Sequence, residues 1–225
     1  MIKKKVYSFQ KQIKNVWDAE NIFYQETNIS RIGKLIYHYE IYKKITDLPG
    51  DILEFGVFKG SSLIRLMTFR NILENNFSRK IYGFDTFKKF PNQKRKPDKK
   101  FKLQFEKEAG DPISKKKLDI LLNKKKFENY ELIEGNVMKT LEKFLKNNKS
   151  IKISLLHLDM DVFNATQYVI NKLQKYIVKG GIILIDDYSS VDGATKAIDQ
   201  FLKKNKKLKI KKLSFYNVPS FIIRS

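Results

Sequence analysis

From residue 50 onward the chain repeats short apolar runs rich in β-branched and aromatic residues. They are DILEFG (51–56), KIYGFD (80–85), NYELIE (129–134), KISLLHLD (152–159) and GIILIDD (181–187). Each is apolar throughout rather than alternating, the pattern of strands covered on both faces of a parallel sheet. The stretches between them have helical period. Residues 61–75 place Leu63, Leu66, Met67 and Arg70 on one face, and 165–177 place Val169, Ile170, Leu173 and Ile177 there. Residues 192–204 do the same with Ala194, Ala197, Ile198 and Phe201. Strand and helix in alternation predict right-handed crossovers and a doubly wound α/β sheet.

The end of the chain departs from this rhythm. KLKIKKLSFY (207–216) and PSFIIRS (219–225) are separated only by NV, too short for a helical crossover, so the two runs are expected to form an antiparallel hairpin. The prediction is a mostly parallel, seven-stranded sheet with a reversed last strand. Two further segments lie outside it. Residues 10–48 read as helices with an apolar face of Ile32, Leu35, Ile36, Tyr39 and Tyr42. The stretch from 88 to 118 carries Pro91, Pro97, Pro112 and many charges, and is too long for an ordinary connection. The expected organisation is an N-terminal helical cap (1–48) before a single domain (49–225), with a lid or insertion at 88–128.

Composition narrows the chemistry. At 225 residues and 42% hydrophobic, the chain can bury one sizeable core. It has no cysteine, which excludes disulfides, thiolate zinc sites and cysteine nucleophiles and points to a reducing cytoplasm. His38 and His157 are too few for a multi-histidine metal site. His157, between Leu156 and Leu158 in a strand, reads as a core histidine. No apolar run approaches the roughly 20 residues of a membrane span, and the basic N-terminus lacks the apolar core of a secretory signal. The net charge of +22 invites a nucleic-acid reading, but only six of the 46 basic residues are arginine. Scattered lysine fits a solvated surface better than the arginine forks that read phosphates and bases.

In open parallel sheets, ligands bind beyond the carboxyl ends of the strands. After the first strand comes EFGVFKGSS, where glycine lets a ligand approach the backbone and Ser61 is placed to cap the next helix. Asp85 ends the second strand, where an acid accepts ribose hydroxyls or caps the following turn. Gly135 and Asn136 follow the third strand, placed to meet an adenine edge. Four carboxylates end the fourth and fifth strands: Asp159, Asp161, Asp186 and Asp187. If the two strands are neighbours, these acids converge and repel, and a hard divalent cation relieves the repulsion. All-oxygen ligation suits magnesium, with manganese or calcium as alternatives. The competing reading makes Asp161 and Asp187 helix N-caps and leaves Asp159 and Asp186 solvated.

The stretches LEFGVFKGSSL, YGFDTFKKFP, LHLDMDVFNAT and GGIILIDDYSSVDGATKAIDQF, in this order and spacing, together resemble the macrocin O-methyltransferase family. These are class I S-adenosylmethionine-dependent enzymes that methylate sugar hydroxyls on macrolide and aminocoumarin antibiotics. The upstream stretch ENIFYQETNISRIGKLIYHYEIYKKITDLPG is also similar to members of that group. The resemblance implies the Rossmann-like methyltransferase fold and a set of residue roles. Glu54, Gly56 and Gly60 would hold the methionine end of the cofactor, Asp85 its ribose and Asn136 its adenine region. Val57, Ser61, Ser62, Thr86, Gly135 and Asp159 complete the cofactor set. Asp159, Asp186 and Asp187 would bind Mg2+, and Asp161, with Asp159 beside it, would serve as catalytic base. Phe58 stands where a glycine is common in related turns, and Asn136 where an aspartate is frequent. The implied partner is a small-molecule or glycan acceptor, and the resemblance allows a homodimer.

Two other readings use the same fold. One is an RNA ribose methyltransferase, motivated by the charge; base amino-methylation is disfavoured because the chain contains no Pro-Pro. The other is a non-catalytic cofactor-binding protein. Among further candidates, Tyr24, Thr27 and Arg31 would reach over the cofactor or simply pack. Tyr188 would line the acceptor site or pack, and Phe84, Phe87 and Phe90 read as core and lid anchor.

Overall fold

In the computed structural model, residues 13–225 are described; the start of the expected helical stretch, residues 10–12, lies outside them. Two helices come first, α1 (Val16–Glu26) and α2 (Ile29–Lys43). Asn28 caps α2, its side chain accepting from Ser30 N at 2.8 Å. Then β1 (Asp51–Phe55), α3 (Ser61–Leu73) and β2 (Ile81–Asp85) alternate. Next are α4 (Lys96–Ala109), α5 (Lys115–Lys124), β3 (Tyr130–Glu134), α6 (Val137–Asn147) and β4 (Ile153–Leu158). The chain ends with α7 (Phe163–Leu173), β5 (Ile177–Ile185), α8 (Asp192–Lys204), β6 (Ile210–Lys211) and β7 (Ser220–Ile223).

The seven strands stand in the order β3-β2-β1-β4-β5-β7-β6. All pairs are parallel except those of β7, which runs against both β5 and β6. The reversed strand is therefore present, but the tight hairpin is not: β6 has two residues, and Lys212 to Pro219 separate it from β7. The polar run KLKIKKLSFY offers little apolar surface to bury, so pairing stops early. No described helix is long and apolar enough to cross a membrane.

The sheet divides the core. Ile52, Leu155, Ile182, Leu184 and Phe221 face α2, α3 and α5, meeting Tyr37, Ile41, Leu63, Leu66 and Leu118. Leu53, Phe55, Leu156, Leu158, Ile183 and Ile185 face α6, α7 and α8, meeting Phe144, Val169, Ile170, Ile198 and Phe201. This is the period-two alternation of strands whose two faces are both covered. Register sets Glu54 beside His157 and His157 beside Leu184 across β1, β4 and β5. Glu54 and His157 thus share the α2–α3 face of the sheet, as does Asp186, two residues beyond Leu184.

The helical face expected for α2 is met in part: Tyr42 is buried, and Leu35 and Tyr39 pack against the core. Its buried residues are Tyr37, His38, Ile41 and Tyr42, while Ile36 is exposed. Between β2 and β3, the long connection is filled by α4 and α5. Phe58, Phe90, Phe101 and Phe105 pack against one another there, with Phe58 and Phe105 ring centroids 5.1 Å apart. Asp98 of α4 is buried and accepts from Phe163 N at the start of α7. Phe84 stacks on Phe55 at 4.3 Å and Phe87 is buried in the core, so these aromatics pack as expected.

Candidate active site

A cavity of about 1370 Å³ opens beyond the carboxyl ends of β1 to β5. Its wall includes Gly56, Val57, Ser61, Ser62, Asp85, Thr86, Gly135 and Asn136. Asp159, Asp161, Asp186 and Asp187 also reach it. Phe23, Thr27, Arg31 and Lys34 close one side, and Phe101 and Phe105 of α4 another.

The turn after β1 is built on backbone proximity. Gly56 has φ +94°, and a Cβ there would lie 1.7 Å from the Asp159 carbonyl oxygen, so no other residue lets β1 and β4 end side by side. Phe58, where glycine is common in related turns, itself takes a positive φ of 51°. Asp85 binds this turn: its Oδ2 accepts from Val57 N at 2.7 Å and Phe58 N at 2.9 Å, and its Oδ1 from Phe87 N at 2.7 Å. The carboxylate thus orders the loop through three backbone donors. Asn136 caps α6 by accepting from Met138 N at 2.9 Å. The cap of α3 is Gly60 and not Ser61. Two residues of the expected cofactor set, Glu54 and Gly60, do not line the cavity. Glu54 is fully buried beneath it, accepting from Ser62 Oγ at 2.8 Å.

The four strand-end carboxylates separate into two groups. Asp159, Asp161 and Asp187 each bring one oxygen into a cluster whose members lie within 4.8 Å of one another. Asp186, expected among the metal ligands, lies outside this trio and meets basic side chains. It pairs with the Lys34 ammonium, and its Oδ1 lies 3.4 Å from both His157 Nε2 and His38 Nε2. The physical reason is the turn that begins after Ile185, the last residue of β5: both acids lie in it, and its backbone sends them to different neighbours. The capping alternative does not describe these acids. The N-caps of α7 and α8 are Val162 and Val191, neither with a side-chain cap bond.

The two groups carry opposite electrostatics. Burial first, and then the charge of Asp159, raise the pKa of Asp161 to about 7 against a hydrogen bond from Asp187 that lowers it. Asp159 and Asp187 are also pushed up, by burial first and then by their acidic neighbours. Burial would raise Asp186 too, but Lys34, His157 and His38 together hold it well below the usual carboxylate range. His157, fully buried between Glu54 Oε2 (3.3 Å) and Asp186, is raised to about 10 and is an imidazolium. His38 is lowered to about 4, chiefly by burial, and stays neutral. Asp161 also has φ +63°, a left-handed conformation that costs a non-glycine residue energy and aims its side chain into the cluster.

Lys34 and His38 are functional neighbours that pattern reading missed. Their signal was the spacing Arg31, Lys34, His38 on one face of α2, obscured by the apolar residues between them. Thr27 and Arg31 do reach the cavity wall, whereas Tyr24 is exposed and does not. Tyr188 donates to Asp199 at 2.8 Å and lies off the cavity.

Residues 27–214 match the family model described as Macrocin-O-methyltransferase (TylF). A curated relative from Streptomyces olivaceus is 23% identical over 194 residues, covering 82% of this chain and 69% of its own. It is an 8-demethyl-8-(2,3-dimethoxy-alpha-L-rhamnosyl)-tetracenomycin-C 4'-O-methyltransferase. Among solved structures, the calicheamicin methyltransferase CalS11 superposes with a TM-score of 0.77 at 21% identity, over 96% of this chain and 88% of that one. CalS11 is described as a TDP-rhamnose 3'-O-methyltransferase. An O-methyltransferase from Bacillus cereus in complex with SAH superposes with a TM-score of 0.54 at 15% identity, over 87% of this chain and 81% of that one. The shared architecture is the fold of S-adenosylmethionine-dependent methyltransferases.

Proposed function

Since the chain belongs to the macrocin O-methyltransferase family, we propose that it moves a methyl group from S-adenosylmethionine to a hydroxyl of a sugar or glycosylated acceptor. A divalent cation, magnesium by the hardness of its ligands, would be held by Asp159, Asp161 and Asp187. The observation that carries this reading is the convergence of those three carboxylates, which form no ion pair among the described residues, on the wall of a cavity. Acidic groups pushed upward in pKa by burial and by one another are stabilised when a dication replaces their protons. An oxygen-only donor set fits magnesium, manganese or calcium better than the softer metals.

When bound, the sulfonium supplies an activated methyl group and the cation supplies Lewis acidity toward the acceptor oxygens. The chain's own residues have to orient, desolvate and move one proton. Gly56, Val57, Ser61 and Ser62 would receive the amino-acid end of the donor, with Asp85 and Thr86 at its ribose and Gly135 and Asn136 at its base. Asp161 gives one oxygen to the cluster, and its other oxygen would accept the acceptor's hydroxyl proton. An O–CH3 bond forms as the S–CH3 bond breaks, leaving S-adenosylhomocysteine, methyl ether and a protonated carboxylate. Phe101 and Phe105 on α4 would exclude water. The sugar substrates named for the tetracenomycin enzyme and for CalS11 support a sugar acceptor.

The test is isothermal titration with S-adenosylmethionine in the presence and absence of magnesium, followed by methyl-transfer assays on rhamnosylated acceptors. Cofactor binding with magnesium-stimulated transfer is expected. No cofactor binding in either condition would overturn the reading.

A further inference from the structure

The chain has only six arginines among its 46 basic residues. Four of them are committed to internal bonds. Arg70 donates to the carbonyls of Arg79, Glu128 and Asn129, and Arg79 donates to Glu74 and to the carbonyls of Ile45 and Gly50. Arg95 pairs with Asp98 and Asp192, and Arg224 donates to the Lys175 and Ile177 carbonyls. The other two, Arg31 on α2 and Arg65 on α3, are the exceptions. Among the described residues, their side chains take part in no hydrogen bond or ion pair, and both line the cavity.

For Arg65 this placement carries a desolvation cost that no hydrogen bond or ion pair among the described residues offsets. Arg65 is half-buried, and its pKa is lowered by burial first. Asp186 pulls it back up while the like charge of Arg31 pushes it down. Arg65 also lies one turn after Ser61 and Ser62, so it shares a face with them at the N-terminal turn of α3. Unsatisfied backbone N–H groups and the positive end of the helix add to the attraction for an anion there. Guanidinium forks favour paired oxygens, as in a carboxylate or a phosphate.

We propose that Arg31 and Arg65 form a clamp for a paired-oxygen anion in the cavity, and that this anion is the α-carboxylate of the methyl donor's methionine part. The identity of the anion rests on the methyl-transfer reading above; the clamp itself does not. Arg65 is fixed on the sheet-packed helix beside the loop after β1. Arg31 stands exposed on α2 and closes from the other side. A phosphate on the acceptor offers the same chemistry, so the experiment separates the two sources.

Binding of S-adenosylhomocysteine, 5′-methylthioadenosine and inorganic pyrophosphate is measured by isothermal titration. The proteins are wild type, Arg31→Gln, Arg65→Gln and Arg65→Lys, with thermal unfolding confirming that each is folded. Methylthioadenosine lacks the amino-acid part and so reports on the nucleoside pocket alone. The expected result is about a tenfold or greater loss of S-adenosylhomocysteine affinity in both Gln variants, with methylthioadenosine unchanged. Arg65→Lys should recover only part of the loss, because an ammonium lacks the fork. Loss of pyrophosphate binding with S-adenosylhomocysteine unchanged would keep the clamp and assign it to the acceptor. Unchanged affinity for both anions in both Gln variants would overturn it. Should wild type bind neither nucleoside, the methyl-transfer reading fails separately, and the pyrophosphate comparison still decides the clamp.

Discussion

Asp186 and Asp187 share a peptide bond at the end of β5, yet the fold gives them different neighbours. Asp186 turns toward Lys34, His38 and His157, a set of basic groups on α2 and β4. Asp187 turns toward Asp159 and Asp161, and among the described residues no ion pair joins that trio, although the nearby Lys34 ammonium partly offsets its charge. One carboxylate is therefore held well below its usual range and the other is pushed well above it. Burial alone cannot separate them, since it raises both. What differs is the company each keeps. The protein neutralises Asp186 internally, which ties α2 to the sheet, and gives the trio no such partner among the described residues.

The largest effect that sharpens this contrast is on turnover. Asp161→Asn is expected to lower methyl transfer by about 10²–10⁴-fold, the usual contribution of a positioned base. Because burial keeps much of the native carboxyl protonated up to about pH 7, the neutral amide should not lower the urea midpoint. A variant that unfolds as well would mean that the trio is structural. Lys34→Met acts on the other side of the contrast. It leaves Asp186 buried without its ammonium, and breaking such a pair costs about 3–5 kcal/mol, read as a lower urea midpoint.

Titration gives a third way to break the comparison. A carboxyl raised from 3.8 to about 7 holds its proton in the native state while the unfolded chain has released it. Its contribution to stability is therefore fully present below pH 3.8 and is lost as pH rises toward about 7. His38, lowered from 6.5 to about 4, acts in the opposite sense over part of the same window. The difference between wild type and Asp161→Asn isolates the carboxyl. In metal-free buffer, the variant should gain on wild type in thermal midpoint as pH rises from about 4 to about 7. A constant difference across that window would mean that Asp161 titrates normally. The smallest effect is a control: Ser114→Ala, removing the cap of α5, should cost about 1 kcal/mol and leave cation binding unmoved.

Much of the frame was legible from apolar periodicity. The five parallel strands, α3, α8, most of the run read as α7 (Ile177 opens β5 instead) and the reversed β7 are where the runs predicted, because burial on both faces leaves continuous apolar stretches such as LLHL and IILI. The convergence of acids at the ends of β4 and β5 was legible too, since adjacent strands end together. Which acids converge was not. Reading DD as one motif overlooked the turn that begins after Ile185 and gives Asp186 and Asp187 different neighbours. The role of α2 was hidden for another reason: Ile32, Leu35, Ile36, Tyr39 and Tyr42 suggested its inner face, whereas the buried face also includes His38 and the helix directs Lys34 at Asp186. A charge that points inward looks like surface until its partner is known. Glu54 shows the same thing, an acid at a strand end that serves Ser62 and His157 beneath the cavity instead of lining it.

The most direct test is cation binding to the folded chain above the pH at which Asp161 ionises, about 7. Mn2+ would be followed by electron paramagnetic resonance, with Mg2+ as competitor. Wild type should bind a single ion that Mg2+ displaces, and Asp187→Asn, folded to the same thermal midpoint, should bind none. Wild type that takes up no ion, or an Asp187→Asn protein that binds as tightly as wild type, would contradict the account.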